Sequence, residues 1–146
     1  MEKRAGYTLT ELILIIAILG ILSVTAVPLY GTWMQRAHGT EATFILKQLM
    51  DAEVIYFLEH ETFFPQDKVY TVTHAGMSAP ADAVDKIQEV LNIYIPVRHK
   101  LDFTISATAT NCTVIISSTQ NSFALFANGD TFIRGDLDTT GKVVIF

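Results

Sequence analysis

Between Leu12 and Val27 the chain reads LILIIAILGILSVTAV, without one charged side chain. A helix built from such a run has no polar face to turn to water, so only lipid or other apolar helices can cover it. Extended to Thr8–Tyr30, the run gives ~34 Å of helix, enough to cross a hydrocarbon core of about 30 Å. Lys3 and Arg4 precede it and the next cation is Arg36, a bias that keeps the N-terminus cytoplasmic and sends the remainder across. Against a cleaved secretory signal stand the very short basic start and an apolar run longer than the usual ~7 to 15 residues. An uncleaved anchor stays open. Glu11 is the only charge from Ala5 to Gln35. A carboxylate at depth in lipid costs on the order of a few kcal/mol, so such residues usually serve a function and need a partner. The plainer account is an interfacial Glu, solvated by head groups and favoured by the positive helix N-terminus.

Past Pro28 the pattern becomes one-sided. Ala42, Ile45, Leu49, Ala52 and Tyr56 recur at helical spacing, while Glu41, Lys47, Gln48 and Glu59 take other faces. These residues predict one helix from Thr8 to about Glu61, stopped by Pro65 and bent or loosened at Pro28, which lacks a backbone N–H. A connecting region follows from Pro65 to Lys100. It holds a short helix in APADAVDKIQEVLN, with Pro80 in its first turn and Val84, Ile87, Val90 and Leu91 on one face. From Leu101 the period changes to two. LDFTISATA, CTVIISS, SFALFA and KVVIF read as strands and TFIRG as a short extra one. The turns between them, such as Asn128-Gly129-Asp130 and Thr140-Gly141, are too short for parallel crossovers. The expected fold is therefore α+β: a long N-terminal helix, its first half transmembrane, packed by its second half on a C-terminal antiparallel β-meander.

Composition narrows the function. A chain of 146 residues has room for one domain with a real core. A formal net charge of −5 without any run of Lys or Arg lacks the footprint of a nucleic-acid binder. Cys112 is alone and reads as a small buried apolar residue. His38, His60, His74 and His99 lie far apart, and no GxSxG, HExxH or phosphate loop is present. No catalytic residue, cofactor or confident metal site is therefore expected, and the chain reads as no enzyme. Asn128, Asp130, Asp136 and Asp138 are weak calcium candidates, but their spacing fails the EF-hand pattern and suits turn chemistry better. Among the aromatics, Tyr30 and Trp33 sit where an interfacial belt would lie. Phe44, Tyr56, Phe57, Phe63 and Phe64 fit core packing better than a conduction path.

The segment GYTLTELILIIAILGILSVTAVPLY, from Gly6 to Tyr30, resembles the N-terminal signature of type IV pilins and of the related pseudopilins of type II secretion. The likeness rests on Lys3 and Arg4 in a short leader, Gly6, Tyr7, Glu11, Gly20 and Pro28. It implies that prepilin peptidase cuts between Gly6 and Tyr7 and methylates the new Tyr7 amine. Residues 1–6 would be a cleaved leader, 7–30 the transmembrane and assembly helix, and 31–146 a globular pilin-like domain that includes the rest of the long helix. By the same resemblance Glu11 neutralises the Tyr7 amine of a neighbouring subunit. Gly20 and Pro28 are either breakers tolerated in a membrane helix or the bounds of a stretch that would unwind locally in the filament, where Ser23 and Thr25 hydroxyls would satisfy freed carbonyls. The implied partners are identical subunits in a helical filament, the peptidase and an inner-membrane assembly platform. The chain would sit in the bacterial inner membrane, single-pass with its N-terminus cytoplasmic, and then in a surface pilus, or fimbrium. A periplasmic pseudopilus, whose subunits in some cases bind calcium near the C-terminus, is the alternative. So is a membrane-anchored binding module that never polymerises.

Overall fold

The structure, a computed structural model, describes residues 7–74, 77–95 and 100–146. Lys3, Arg4, Gly6 and His99 lie outside the described residues. Helix α1 runs from Leu9 to His60. It ends where Glu61 takes a left-handed conformation (φ 57°) with its N–H on the Phe57 carbonyl at 2.8 Å. The stop is thus four residues earlier than Pro65, which the sequence suggested as the breaker. Contacts divide the chain into two compact units, residues 7–34 and Gln35–Phe146, each described by itself.

In the second unit α1 is one-sided. It buries Ala42, Ile45, Leu46, Leu49, Met50, Ala52 and Glu53, adding Leu46, Met50 and a carboxylate to the stripe expected from sequence. Phe44 does not join the core; it is 68% exposed. At 100° per residue it stands about 200° around the helix from Ala42 and Leu46, which face inward.

The sheet has six strands in the order β2-β1-β3-β4-β5-β6, all paired antiparallel. They are β1 (Val69–Val72), β2 (Ser78–Ala79), β3 (Leu101–Ala107), β4 (Asn111–Ser118), β5 (Phe132–Asp138) and β6 (Val143–Ile145). The last four form the expected meander. Period-two burial holds throughout β3, where Leu101, Phe103, Ile105 and Ala107 point inward. In β4 the inward set is Cys112, Val114, Ile116 and Ser118. Strands β1 and β2 were not foreseen; they form inside the connecting region and lengthen the sheet beyond β3.

Two strand assignments exchange roles. SFALFA is not a strand: it follows a 3₁₀ turn at Thr119–Asn121 and packs along α1. Gln35 donates to the Phe126 carbonyl at 2.6 Å, and the Phe123 ring lies 5.2 Å from His38. The segment closes its own loop, Leu125 N–H reaching Asp130 O at 2.7 Å. TFIRG, expected as a short extra, is the start of the seven-residue β5. Its inward positions Ile133, Gly135 and Leu137 include a glycine, which interrupts the apolar alternation a reader looks for.

The short helix α2 spans Ala83–Leu91. Pro80 precedes it instead of occupying its first turn. Its carbonyl accepts the Ala83 N–H at 2.9 Å in the turn that leads in, and Asp82 is the N-cap. Ala83, Ile87 and Leu91 are buried at i+4 spacing. Val90 is 38% exposed, off that row, contrary to the shared face expected of it.

Two glycines set how closely α1 approaches its cover, Gly39 against the Leu125 loop and Gly135 on the sheet. A Cβ on Gly39 would meet the Leu125 carbonyl oxygen at 2.4 Å, and one on Gly135 would meet Met50 Sδ at 3.0 Å and a Leu46 methyl at 3.2 Å. The first neighbour is rigid backbone, the second pair flexible side chains. Gly39→Ala is therefore expected to destabilise by about 1–3 kcal/mol, overpacking outweighing the gain in helix propensity. Gly31→Ala, whose Cβ meets nothing within 4 Å, is expected to be neutral or stabilising by up to ~1 kcal/mol. Thermal unfolding of the full chain in detergent, followed by circular dichroism, checks both.

Candidate functional site

The first unit is a helix with no inside. From Leu12 to Leu22 the large apolar side chains are 43% to 71% exposed, on successive positions and so on every face. Among the described residues α1 is the one helix long and apolar enough to cross a membrane, and its most apolar window is not buried in the protein at all. Tyr7 is 83% exposed at its start. Tyr30 and Trp33, at 69% and 71%, stand at the other end of the apolar run.

The helix N-terminus is locked by a reciprocal pair. Thr8 is the N-cap, and its hydroxyl oxygen accepts the Glu11 N–H at 3.3 Å. Glu11 Oε2 reaches back to accept the Thr8 N–H and the Thr8 hydroxyl, each at 2.8 Å. This is a capping box, in which two backbone donors that have no partner within the helix are satisfied by each other's side chains. Its signature, Thr-x-x-Glu in TLTE, stands in the sequence and was overlooked there. Among the described residues no cation pairs with Glu11, and Oε1 carries no hydrogen bond.

Gly20 and Pro28 lie within continuous helix. A Cβ on Gly20 would meet nothing within 4 Å, so the isolated chain gives no reason for glycine there. Ser23 donates to the Leu19 carbonyl at 2.7 Å and Thr25 to the Leu22 carbonyl at 2.9 Å. Neither reaches Val24, whose carbonyl is the one that Pro28 leaves without a donor four residues on.

The acidic residues near the C-terminus are engaged locally. Asp138 accepts from the Thr140 hydroxyl, from Thr140 N–H at 2.9 Å and from Lys142 N–H at 3.1 Å. The Thr140 hydroxyl above all holds the Asp138 carboxyl below the usual carboxylate range. Asp136 takes the Thr113 hydroxyl at 2.6 Å and Arg134 Nε at 2.9 Å. Asn128 and Asp130 bond each other. Among the described residues no three His, Cys, Asp or Glu side chains are grouped to hold a metal ion. His38, His60 and His74 are likewise separate: His60 stacks on Tyr56 at 4.2 Å, His38 meets Glu41 at 3.6 Å, and the His74 N–H binds Asp102.

One group that sequence reasoning missed is Glu53, wholly buried on the sheet-facing side of α1. The signal was present. Glu53 falls three, four and seven residues after Met50, Leu49 and Leu46, so the helical period that buries those three carries it inward too.

No family model and no solved structure matches the chain. Relatives with known names do. The chain is 36% identical over 77 residues to the type IV major pilin protein PilE1 of Neisseria gonorrhoeae, covering 53% of this chain and 44% of that one. With a fimbrial protein of Neisseria meningitidis serogroup A it shares 32% identity over 90 residues, 62% of this chain and 50% of the other. With the type IV major pilin protein PilA of Myxococcus xanthus it shares 34% over 61 residues, 42% and 28% of the two chains. The chain thus spans half or less of the length of these relatives, which are structural pilins and not enzymes. Taken with a long apolar helix and a six-stranded antiparallel sheet, these likenesses support assignment of the chain to the type IV pilin family.

Proposed function

We propose that the chain is a structural subunit of a type IV pilus, held in the membrane by the first part of α1 before assembly and carried into a helical filament of identical subunits by the same segment. The observation that carries this reading is the apolar first unit, exposed on every face. A lipid bilayer covers such a helix before assembly, and a bundle of its own copies covers it afterwards. Names of the relatives favour a pilus over a secretion pseudopilus.

Processing follows the same reading. Prepilin peptidase removes residues 1–6, cutting between Gly6 and Tyr7, and methylates the new Tyr7 amine. Gly suits the position before the cut because it offers no side chain to obstruct an active site. Lys3 and Arg4 hold this end on the cytoplasmic face, where the assembly platform receives the subunit. Glu11 then has two tasks. Its Oε2 completes the capping box with Thr8, and its charge neutralises the Tyr7 amine of the neighbouring subunit. Gly20, bare of neighbours in its own chain, allows another helix backbone to come close. Local unwinding between Gly20 and Pro28 on assembly is part of the same proposal, since Pro28 already leaves one turn without a backbone hydrogen bond. Calcium binding by the Asn128–Asp138 region stays a separate proposal, tested by calcium titration of the purified chain.

Substitutions separate the two tasks of Glu11. Glu11→Gln keeps an oxygen acceptor for the Thr8 N–H and removes the charge, so it is expected to keep helix content and to abolish or sharply reduce filament yield. Wild-type yield of Glu11→Gln filaments, seen by electron microscopy of sheared cells, sinks the pairing role. Thr8→Val removes the hydroxyl half of the box and is expected to weaken the helix start by about 1 kcal/mol while filaments still form. Mass spectrometry of the mature N-terminus tests processing. Methylated Tyr7 as the first residue is expected, and an intact Met1 on the assembled protein excludes it. Short periplasmic filaments with blocked exoprotein release, in place of long surface filaments, identify a pseudopilus instead.

A further inference from the structure

Glu53 stands at a corner where three parts of the second unit meet. It projects from α1 with no solvent exposure. Its Oε2 accepts the Phe64 N–H at 3.1 Å, from the turn that follows the helix. The Cys112 thiol of β4 lies against it from the sheet. Its other oxygen, Oε1, has no hydrogen-bond partner among the described residues. The turn it holds is packed by rings, with Phe63 stacked on Phe57 at 4.5 Å and Phe64 edge-on to Tyr70 at 5.2 Å.

A carboxylate in this place is poorly served, having one backbone N–H and a weak thiol donor and, among the described residues, no cation and no water-facing side. The neutral acid fits far better, because burial penalises charge much more than a polar but uncharged group. We propose that Glu53 is a proton-operated latch, which as the neutral acid seats the Phe63–Phe64 turn between α1 and β4 and on ionising loosens that corner of the globular unit.

The surrounding groups agree in sign. Burial pushes the Glu53 carboxyl up from 4.5 to about 8, while the Phe64 N–H and then the Cys112 thiol pull it down by less. Burial likewise raises the Cys112 thiol, and the charges of Glu53 and Asp136 add to this, so the thiol stays neutral beside the latch. Across the Phe64 ring lie Tyr56 of α1, with His60 stacked on it, and Tyr70 of β1. No ion pair among the described residues involves Glu53.

An acid whose folded pKa lies above its unfolded value binds more protons in the native state between the two. Its stabilising effect is therefore complete below about 4.5 and is lost as pH rises towards about 8. Within that window the unfolding equilibrium shifts towards the unfolded chain by about tenfold per pH unit from this one proton.

The test is thermal unfolding of the full chain in detergent from pH 5 to pH 9, wild type beside Glu53→Gln. Gln keeps the acceptor for Phe64 and cannot ionise. The expected result is a wild-type midpoint that falls relative to Glu53→Gln as pH rises to about 8, with the two curves parallel beyond. Curves parallel over the whole range overturn the proposal. Should Glu53→Gln not fold, the infrared band of a protonated carboxyl decides in an otherwise wild-type chain carrying Glu11→Gln. Presence of the band at pH 6 and its loss by pH 9 support the latch, whereas absence of the band at pH 6 overturns it.

Discussion

Cover for an apolar surface is the constraint on which α1 depends, and the helix meets it in two ways. Beyond Gln35 its buried apolar side chains lie on one face, covered by the sheet with the Phe123–Phe126 segment, while Phe44, Ile55 and Leu58 stay exposed. Before that point they lie on every face, and nothing among the described residues covers them. Each Leu or Ile fully removed from water contributes about 1.5–3 kcal/mol, so the first unit strongly excludes an aqueous setting. It is indifferent, however, between lipid and other helices, because lipid tails are as apolar as Leu. On the pilus reading this indifference lets one segment serve before and after assembly. The hydrophobic effect then does not decide the exchange. Close packing at Gly20 and the charge on Glu11 are left to do so.

The second unit shows how a helix is fitted at close range to an antiparallel sheet and to the loop that completes its cover. Gly39 lets the α1 backbone touch the Leu125 carbonyl, and Gly135 leaves room on β5 for Met50 and Leu46. Both missing side chains are needed because core packing is tight enough for single methyl groups to matter. Glu53, on the same inward side of α1, is fully buried against Phe64 and Cys112.

Much of this architecture could be read from the sequence, and the misreadings share a cause. Strands β3 and β4 show a clean period of two and the one-sided part of α1 a clean period of 3.6, so both were legible. SFALFA has apolar residues at strand-like spacing, yet it packs on α1 as a loop, since pattern reports burial without naming the partner. TFIRGDLD was undervalued because Gly135 occupies an inward position, where the missing side chain is a packing requirement set by Met50. Strands β1 and β2 are too short to display a period at all. Phe44 was misplaced because aromatic character suggested a core role, while the helical angle puts it on the far face. Glu53 was missed for the complementary reason: its charge suggested a surface, and the angle puts it inside.

Glu11 shows where the two kinds of reading meet. Taken as a charge in an apolar run, it demands a partner from outside the chain. In its local geometry it already has one, Thr8, through three hydrogen bonds. These accounts do not compete, because a capping box satisfies backbone donors without supplying a counter-charge. Holding Oε2 on Thr8 also fixes the side chain in one rotamer, which lowers the entropy lost when a cation docks on the other oxygen. A carboxylate ordered in advance at the first turn is a better target for a neighbour's amine than a mobile one. The cap is thus an intrachain interaction that prepares, on the proposed reading, the contact between subunits.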